Sequence, residues 1–287
     1  KQFIDTEEFQ RLRDLRQLGA TTYIFPSANH TRFEHSIGVS HLAGLMMESL
    51  KKNGCEEITE KMIELTRIAG LLHDVGHGPF SHLYDTYVKK EEELEHEERG
   101  CNIIRSMVTR YNIEISEEDV NEIIKMICPN NENNWRYQIV ANKINQLDVD
   151  KLDYIQRDCF YVGMKCAGEY SRIIKDAKVF YIGEESYICW PEKLQYEIFQ
   201  VFATRYRLHK QVYNNHNVKS CEFLIINMLK KLSSIVNILN FGDSIIYCKY
   251  VNEERFNLFR RNIPKMIGEF IFTNSIHDEK MNECIDY

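Results

Sequence analysis

The apolar positions of this chain recur mainly at intervals of three and four residues, which is the spacing of amphipathic helices. The pattern predicts helices at residues 3–18, 32–50, 59–72, 103–108, 116–127, 136–144, 150–161, 191–215 and 220–239. Thr59 has the character of an N-cap, and Ser116 opens another of these segments. Two short β-branched and aromatic runs, 178–182 and 187–190, flank Gly183 and predict a small hairpin. The fold class that follows is mostly α.

Composition narrows the class of protein. The 287 residues include 36 Lys and Arg against 43 Asp and Glu, and the net charge of −7 opposes non-specific binding to duplex nucleic acid or an anionic membrane. No apolar run approaches the roughly 18 residues of a membrane span, so no membrane partner is expected. The nine cysteines contain no Cys-x-x-Cys pair, which favours reduced thiols in an intracellular protein of the cytoplasm or nucleus over a disulfide framework.

Candidate chemistry is concentrated early in the chain, where the first hundred positions hold seven of the ten histidines. Within the segment 73–79, His73 and Asp74 offer a nitrogen and an oxygen ligand of the kinds that bind divalent transition metals. His35 opens the preceding predicted helix, and Asp150 opens a later one beside Asp148, so a set of two imidazoles and two carboxylates is available. For the His-Asp pair taken alone, a helix cap with a hydrogen-bonded carboxylate is the alternative.

Several segments resemble the H…HD…D signature of HD-domain phosphohydrolases, and more closely the sterile-alpha-motif and HD-domain deoxynucleoside triphosphate triphosphohydrolases. They are Arg32-Phe33-Glu34-His35, the stretch from His73 to His82, and the stretch from Asp148 to Tyr154, together with Ile4 to Gly19 and Arg157-Asp158-Cys159. The resemblance runs from about Phe3 to Tyr213. It implies an HD-domain helical catalytic core at residues 1–218 and a C-terminal helical extension at 219–287, packed on the core and at oligomer contacts.

The resemblance also implies the roles of particular residues. The family's metal ligands correspond to His35, His73, Asp74 and Asp150, which would hold one divalent transition metal (Fe, Mn, Zn or Ni), with Mg²⁺ accompanying the nucleotide. Its catalytic histidines correspond to His77 and His96, with Asp85 orienting one of them. Its substrate contacts correspond to Gln17, Leu18, Arg32, His82, Lys151, Tyr154, Asp158, Arg205 and Tyr213. These assignments leave His30 and His41 without a role.

The family is allosteric, and a guanine-nucleotide activator bound between subunits assembles it. The activator positions correspond to Asp5, Gln10, Arg13, Arg172 and Lys193. The chain departs from the family at Pro191, where the family has an arginine, and at Asn215-His216, where it has a basic pair. Because the family assembles through its activator, the resemblance implies a homo-oligomer, a dimer or a tetramer.

The leading hypothesis is metal-dependent hydrolysis of deoxynucleoside triphosphates to deoxynucleoside and inorganic triphosphate. One alternative is an HD-type phosphohydrolase that acts on nucleoside monophosphates or cyclic nucleotides. Another is a catalytically weak nucleotide sensor or nucleic-acid-binding module, against which the complete metal-ligand set and the net charge both weigh. A cysteine hydrolase with Cys159 as nucleophile is disfavoured, because Arg157 is its only positive neighbour in the sequence.

Overall fold

The computed structural model describes residues 1–243, apart from 91, 92, 131, 132, 169, 235, 236 and 240. The α-helices are Glu7–Gln10 (α1), Arg32–Lys52 (α2), Glu60–Leu72 (α3), His96–Arg110 (α4), Glu117–Ile127 (α5), Val149–Val162 (α6), Tyr170–Lys175 (α7), Gln195–Leu208 (α8) and His216–Ser233 (α9). Strands Lys178–Ile182 (β1) and Glu185–Cys189 (β2) form one antiparallel hairpin, in which Phe180 lies opposite Tyr187. Short 3₁₀ helices occupy Arg11–Asp14, Gly19–Tyr23, Trp135–Gln138 and Glu192–Leu194, and π turns occupy Tyr84–Val88 and His209–Tyr213. The predicted mostly α fold with a small hairpin is confirmed.

Helices α2, α3, α5 and α6 lie where the apolar periodicity predicts them, within a few residues at each end. Two of the predicted starts are capped by hydroxyl groups. The Thr59 side chain accepts a hydrogen bond from the backbone N–H of Met62, and the Ser116 side chain accepts one from Asp119. Each bond satisfies a donor that the first turn of a helix leaves unpaired, which fixes the boundary.

The single helix predicted over residues 3–18 is wrong. Only Glu7–Gln10 is α-helical; the 3₁₀ turn Arg11–Asp14 follows, and Leu15 is extended. The Leu15 carbonyl accepts a hydrogen bond from the backbone N–H of Arg32 at 2.8 Å, and Arg16 forms an isolated bridge with Thr31. Pairing with this distant segment replaces the continuation of the helix.

The helix predicted over residues 136–144 is also wrong, because a 3₁₀ turn ends at Gln138. The Gln138 side-chain amide donates to the Ser186 carbonyl at 2.9 Å and accepts from the backbone N–H of Ile188 at 3.0 Å. This side chain binds the edge of β2 as another strand would. The segment is therefore held by the hairpin instead of by its own helical hydrogen bonds.

Three other elements differ from those predicted. Helix α4 spans His96–Arg110, whereas the apolar pattern predicts a helix only over residues 103–108. The region predicted as one helix from 191 to 215 divides into a 3₁₀ turn, α8 and the π turn His209–Tyr213. Helix α9 begins at His216 and ends at Ser233, earlier at both ends than the pattern predicts.

The main core surrounds α2, which packs against α3, α6 and α7. A second apolar cluster joins α9 to the segment after α3, where Phe80, Leu83 and Tyr84 pack against Ile225 and Leu229. As a consequence, the N-terminal turn of α2, the end of α3 and the first turn of α6 converge beside α9.

None of the helices described is both long and apolar enough to cross a membrane. Most of the predicted C-terminal extension, 219–287, lies outside the described residues, and the division at residue 218 stays a prediction.

Candidate active site

Four side chains from three helix ends meet at one point. His35 lies in the first turn of α2, His73 and Asp74 directly follow α3, and Asp150 lies in the first turn of α6. The Nε2 atom of His35 is 2.9 Å from Asp150 Oδ1, 3.3 Å from His73 Nε2 and 3.6 Å from Asp74 Oδ2. The four residues that the sequence predicts as metal ligands are therefore brought together.

The histidines of this cluster are held from behind by their other ring nitrogens. His35 Nδ1 is 2.8 Å from Asp153 Oδ2, and His73 Nδ1 is 2.8 Å from the Gly70 carbonyl oxygen. Arg157 in turn donates to both oxygens of Asp153 at 2.8 Å. Such outer contacts fix ring orientation and leave each Nε2 atom facing the cluster. The sequence reasoning missed Asp153, although it lies one helical turn after Asp150.

The charges of the cluster favour a cation at its centre. Burial opposes protonation of His35, but hydrogen bonds with Asp150 and Asp153 and the nearby charge of Asp74 raise its pKa to about 10. The ligand atoms of His35, His73 and Asp150 lie within 4.8 Å of one another, and Asp74 Oδ2 lies 3.6 Å from His35 Nε2. Imidazoles and carboxylates in such a group fit a divalent transition metal, and the surplus negative charge around His35 fits one as well.

A second group of titratable side chains adjoins the first. The His77 and His96 rings stack with their centroids 4.1 Å apart, and Asp85 Oδ2 lies 3.5 Å from His77 Nδ1 and 3.8 Å from His96 Nδ1. His77 Nε2 is 3.2 Å from Asp74 Oδ1, which links the two groups. The three residues predicted as catalytic thus lie together, directly beside the predicted metal ligands.

Asp85 is held in its charged form by Arg99. Burial alone raises the pKa of the Asp85 carboxyl, but hydrogen bonds from His77 and Arg99 lower it well below its usual range. Arg99 Nη2 is 2.5 Å from Asp85 Oδ1, and its Nε donates to the Gly76 carbonyl at 3.1 Å. Burial and the neighbouring His77 lower the pKa of His96 to about 3. Arg99 was missed because it shares a helix face with His96 only when the helix begins at residue 96.

The backbone of the 73–79 segment approaches α4 very closely. A Cβ atom added at Gly76 would lie 2.0 Å from the His96 carbonyl oxygen and 2.5 Å from the Gly100 backbone nitrogen. Only glycine fits at this position without displacement of one of the two segments.

Both groups open onto a cavity of about 1200 Å³. The sequence-predicted residues that line it are Gln17, Leu18, Arg32, His35, His73, Asp74, His77, His82, His96, Asp150, Lys151, Tyr154, Asp158, Arg205 and Tyr213. Asp85 lies behind His77 and His96, and its side chain is 8% exposed. The predicted metal, catalytic and substrate residues therefore belong to one cavity or to its immediate wall.

Two arginines of the cavity, Arg32 and Arg205, are held in place by hydrogen bonds. The buried Arg32 guanidinium donates to Asp74 Oδ2 at 2.5 Å and to the Ser81 hydroxyl at 2.7 Å. Arg205 Nε donates to the Tyr154 hydroxyl at 3.0 Å. Three separated parts of the chain, the start of α2, the start of α6 and α8, thus bring Arg32, Lys151 and Arg205 to the same space.

Asp158 has a buried side chain that makes two polar contacts. Its Oδ2 atom accepts from the Tyr213 hydroxyl at 2.5 Å, and its Oδ1 atom is 2.7 Å from His30 Nε2. Burial and the Asp158 carboxylate raise the pKa of Tyr213 well above its usual value, so its hydroxyl stays a donor. The sequence predicts no role for His30, whereas the structure shows it buried and in contact with Asp158.

The predicted activator residues lie apart from the residues that line the cavity. Gln10 Oε1 accepts from Arg13 Nε at 2.8 Å, and the Arg13 guanidinium lies 3.5 Å from the centre of the Phe33 ring. Asp5 is exposed. Arg172 and Lys193 form surface ion pairs, at 2.5 Å with Glu197 and at 2.9 Å with Asp176. Their role in binding an activator stays a prediction.

The family model for the HD domain matches residues 32–177, which is just over half of the chain. The chain therefore belongs to the HD-domain family, and the resemblance drawn from its motifs is confirmed.

Similar proteins carry a more particular name. The chain is 36% identical over 296 residues to the deoxynucleoside triphosphate triphosphohydrolase SAMHD1 homolog of Dictyostelium discoideum, a match that covers 94% of this chain and 57% of that protein. It is 35% identical over 269 residues to the deoxynucleoside triphosphate triphosphohydrolase SAMHD1 of Homo sapiens, covering 83% of this chain and 43% of the human protein. The chain spans about half the length of the curated relatives it matches.

Proposed function

We propose that this chain hydrolyses deoxynucleoside triphosphates to deoxynucleoside and inorganic triphosphate. The observation that carries the proposal is the shared cavity, in which a metal-type His/Asp cluster lies beside basic, aromatic and carboxylate side chains. The metal-type cluster and the basic side chains suit a triphosphate, and the aromatic and carboxylate side chains suit a sugar and a base. The names of the two relatives support the same substrate.

The proposed metal ligands are His35, His73, Asp74 and Asp150, and the ion is one divalent transition metal, Fe, Mn, Zn or Ni. When bound, such an ion supplies a Lewis acid that polarises a phosphoryl oxygen and lowers the pKa of water. Mg²⁺ is proposed to enter with the nucleotide. Since Asp153 and Gly70 already orient the two imidazoles, the chain's part is to present its ligands with little rearrangement.

In the proposed reaction, water attacks the α-phosphorus, the bond to the 5′-oxygen breaks, and that oxygen takes up a proton. His77 and His96 are proposed to handle the protons, and the charged Asp85 stabilises an imidazolium at either of them. The pKa of His96 is lowered to about 3 by burial and by His77. The negative charge of a bound triphosphate would raise the pKa of His96 toward neutrality, so that substrate binding would itself favour the protonated, acidic form of His96.

Binding of the phosphates is proposed for Arg32, Lys151, His82 and Arg205. The Arg32 guanidinium is already oriented by Asp74 and Ser81, which lowers the entropy lost when it binds an anion. Asp150 and Lys151 both line the cavity, so a negative phosphate bound there near the cluster would also be attracted by the Lys151 ammonium group.

Binding of the sugar and base is proposed for Gln17, Leu18, Tyr154, Asp158 and Tyr213. Asp158 is an acceptor for the 3′-hydroxyl, and the Tyr213 ring would leave no room for a 2′-hydroxyl. A site that excludes one hydroxyl by contact discriminates by shape, and shape gives the selectivity for deoxyribose.

Product analysis tests the proposal. The full chain is incubated with dGTP and Mn²⁺, Fe²⁺ or Mg²⁺, and the products are separated by ion chromatography. Triphosphate and deoxyguanosine in equal amounts are expected, whereas pyrophosphate or orthophosphate as the main product would contradict the reaction. GTP should react far more slowly than dGTP, and Tyr213→Ala should reduce this difference more than Tyr213→Phe, which keeps the ring. Hydrolysis of dGMP or cyclic GMP in place of dGTP would favour the alternative HD-type activity.

Regulation by a guanine nucleotide and assembly into a homo-oligomer are proposed as well. Exposed aromatic side chains on α8 (Tyr196, Phe199, Tyr206) and Phe160 on α6 support a contact between copies of the chain. Sedimentation with and without GTP and a deoxynucleotide tests assembly. Arg13→Gln and Arg172→Gln should abolish the nucleotide's effect on assembly, and an unchanged effect in both variants would exclude the proposed activator positions.

A further inference from the structure

A carboxylate far along the chain joins two segments that border the cavity. Asp243 Oδ1 accepts from the backbone N–H of Phe80 at 2.6 Å, and Oδ2 accepts from the backbone N–H of Arg16 at 2.9 Å. The residue is 7% exposed. Each oxygen of one buried side chain is therefore committed to a different piece of backbone, one before α2 and one after α3.

The segment after α3 is a strained turn. Phe80 has φ 57° and Ser81 has φ 51°, which are left-handed conformations that are unfavourable for residues other than glycine. The hydrogen bond from Phe80 to Asp243 stabilises this turn. The turn in turn presents the Ser81 hydroxyl, which accepts from Arg32 Nε at 2.7 Å.

The segment before α2 leads directly into the cavity wall. Arg16 precedes Gln17 and Leu18, which line the cavity, and the backbone N–H of Gln17 donates to the His30 carbonyl at 3.0 Å. The Arg16 N–H bond to Asp243 fixes the chain one residue before these side chains. A single carboxylate thus restrains both the phosphate-side Arg32 and the sugar-side Gln17.

The segment that carries Asp243 is itself anchored beside the site. Arg11 donates to the Phe241 carbonyl at 3.1 Å and, through its other terminal nitrogen, to the His77 carbonyl at 2.7 Å. Burial raises the pKa of the Asp243 carboxyl to about 6, although both backbone hydrogen bonds lower it. The chain therefore keeps an acidic group here at a cost in folding free energy.

We propose that Asp243 is a positioning residue for nucleotide binding, which holds Arg32 through the Phe80-Ser81 turn and Gln17 through Arg16. The inference rests on the proposed hydrolysis of deoxynucleoside triphosphates. Asp243 acts without touching the nucleotide, so its loss weakens ground-state binding and leaves the groups that handle protons in place.

The test is Asp243→Asn in the full chain, assayed for dGTP hydrolysis. Asparagine has the same size, but its amide NH₂ group must face one of the two backbone N–H groups. A rise in KM of about tenfold is expected, the cost of one lost hydrogen bond to a charged group, with kcat changed much less and metal content unchanged. Ser81→Ala should raise KM similarly, and the double variant should fall short of the product of the two effects, because both act through Arg32.

The matched control is Asp119→Asn, which alters a surface carboxylate paired with Lys61 at 2.8 Å, and which should leave KM unchanged. An unchanged KM in a folded Asp243→Asn variant, or full additivity with Ser81→Ala, would overturn the inference. If Asp243→Asn does not fold, hydrogen exchange of the wild type decides, since the N–H groups of Phe80 and Arg16 must then exchange slowly. Exchange as fast as in an open loop would overturn the inference too.

The same exchange measurement separates this inference from the proposed function. If the wild type hydrolyses no nucleotide, the proposed function fails, while slow exchange at Phe80 and Arg16 that accelerates in Asp243→Asn still supports the restraint. If the wild type is active and the variant binds dGTP normally, the inference about Asp243 fails alone.

Discussion

His30 Nε2 lies 2.7 Å from Asp158 Oδ1, so the carboxylate that faces the cavity is held by a buried imidazole 128 positions earlier in the chain. The other oxygen of Asp158 is bound by the Tyr213 hydroxyl. The His30 ring also stacks on Tyr161 with centroids 4.3 Å apart. Asp158 therefore has one orientation before any ligand arrives, which is the arrangement expected of a group that reads a hydroxyl.

Replacement of His30 by Phe keeps the stacked ring but removes the hydrogen bond. One oxygen of a buried carboxylate then lacks its partner, which costs about 1–3 kcal/mol and should lower kcat/KM for dGTP by about five- to 150-fold. The difference between dGTP and its 3′-deoxy analogue should shrink, because Asp158 is no longer fixed. His41→Phe on the exposed side of α2 serves as the control, and an equal effect of both variants would contradict the role of His30.

Asp150→Asn removes one negative charge from the proposed metal cluster while the side chain keeps its size. We expect metal content, measured by elemental analysis, to fall from about one ion per chain to a small fraction of that, because one anionic ligand is lost. Chelation of the wild type should abolish hydrolysis, and added Mn²⁺ should restore it. Glu34→Gln, next to His35 and hydrogen-bonded to Tyr161, is the control that should keep its metal. Full metal content in Asp150→Asn would refute its role as a ligand.

Arg99→Met removes the cation that holds Asp85 in its charged form. Burial raises the pKa of Asp85 and the Arg99 hydrogen bond lowers it, so the variant should have a higher Asp85 pKa than the wild type. The acidic limb of the pH profile of kcat should therefore move to higher pH, and kcat at neutral pH should fall about tenfold or more. Arg105→Met changes an exposed arginine of the same helix, paired with Asn121, and should leave the profile unchanged. Superimposable profiles for Arg99→Met and the wild type would exclude this role.

Stability should report the burial of Asp243. Its pKa is about 6 in the folded chain, where burial raises it, against 3.8 for an ordinary Asp, so the folded state holds a proton that the unfolded state has lost between these values. The contribution of Asp243 to the free energy of unfolding therefore decreases as pH rises from 4 to 6. Asp243→Asn lacks this titration and should gain about 3 kcal/mol relative to the wild type across the interval. Urea denaturation at a series of pH values measures the difference, and parallel curves would contradict it.

Local patterns predicted those parts of the molecule that are decided locally. Helices α3 and α5 follow from apolar periodicity and from the capping hydroxyls of Thr59 and Ser116. The cluster of proposed metal ligands follows from the sequence because His73 and Asp74 are neighbours and their family motif is compact. Residues outside such motifs gave no signal of this kind.

Contacts between distant segments account for what could not be predicted. The first predicted helix is interrupted because Leu15 pairs with Arg32, and the helix predicted from residue 136 is prevented because Gln138 binds β2. His30 has no pattern around it, and its partner Asp158 is on another helix. Asp243 is 227 positions from Arg16. Such pairings become visible only when the chain is folded.

Gly76 sets how far apart the two stacked histidines can be. Its Cα lies against the backbone of His96 in the first turn of α4, and His77 is the next residue along the chain. Even a single methyl group at position 76 would push α4 outward and open the 4.1 Å stack. The distance between the His77 and His96 rings thus depends on position 76 having no side chain. A Gly76→Ala substitution would leave every polar group in the cavity intact and would still separate the two rings.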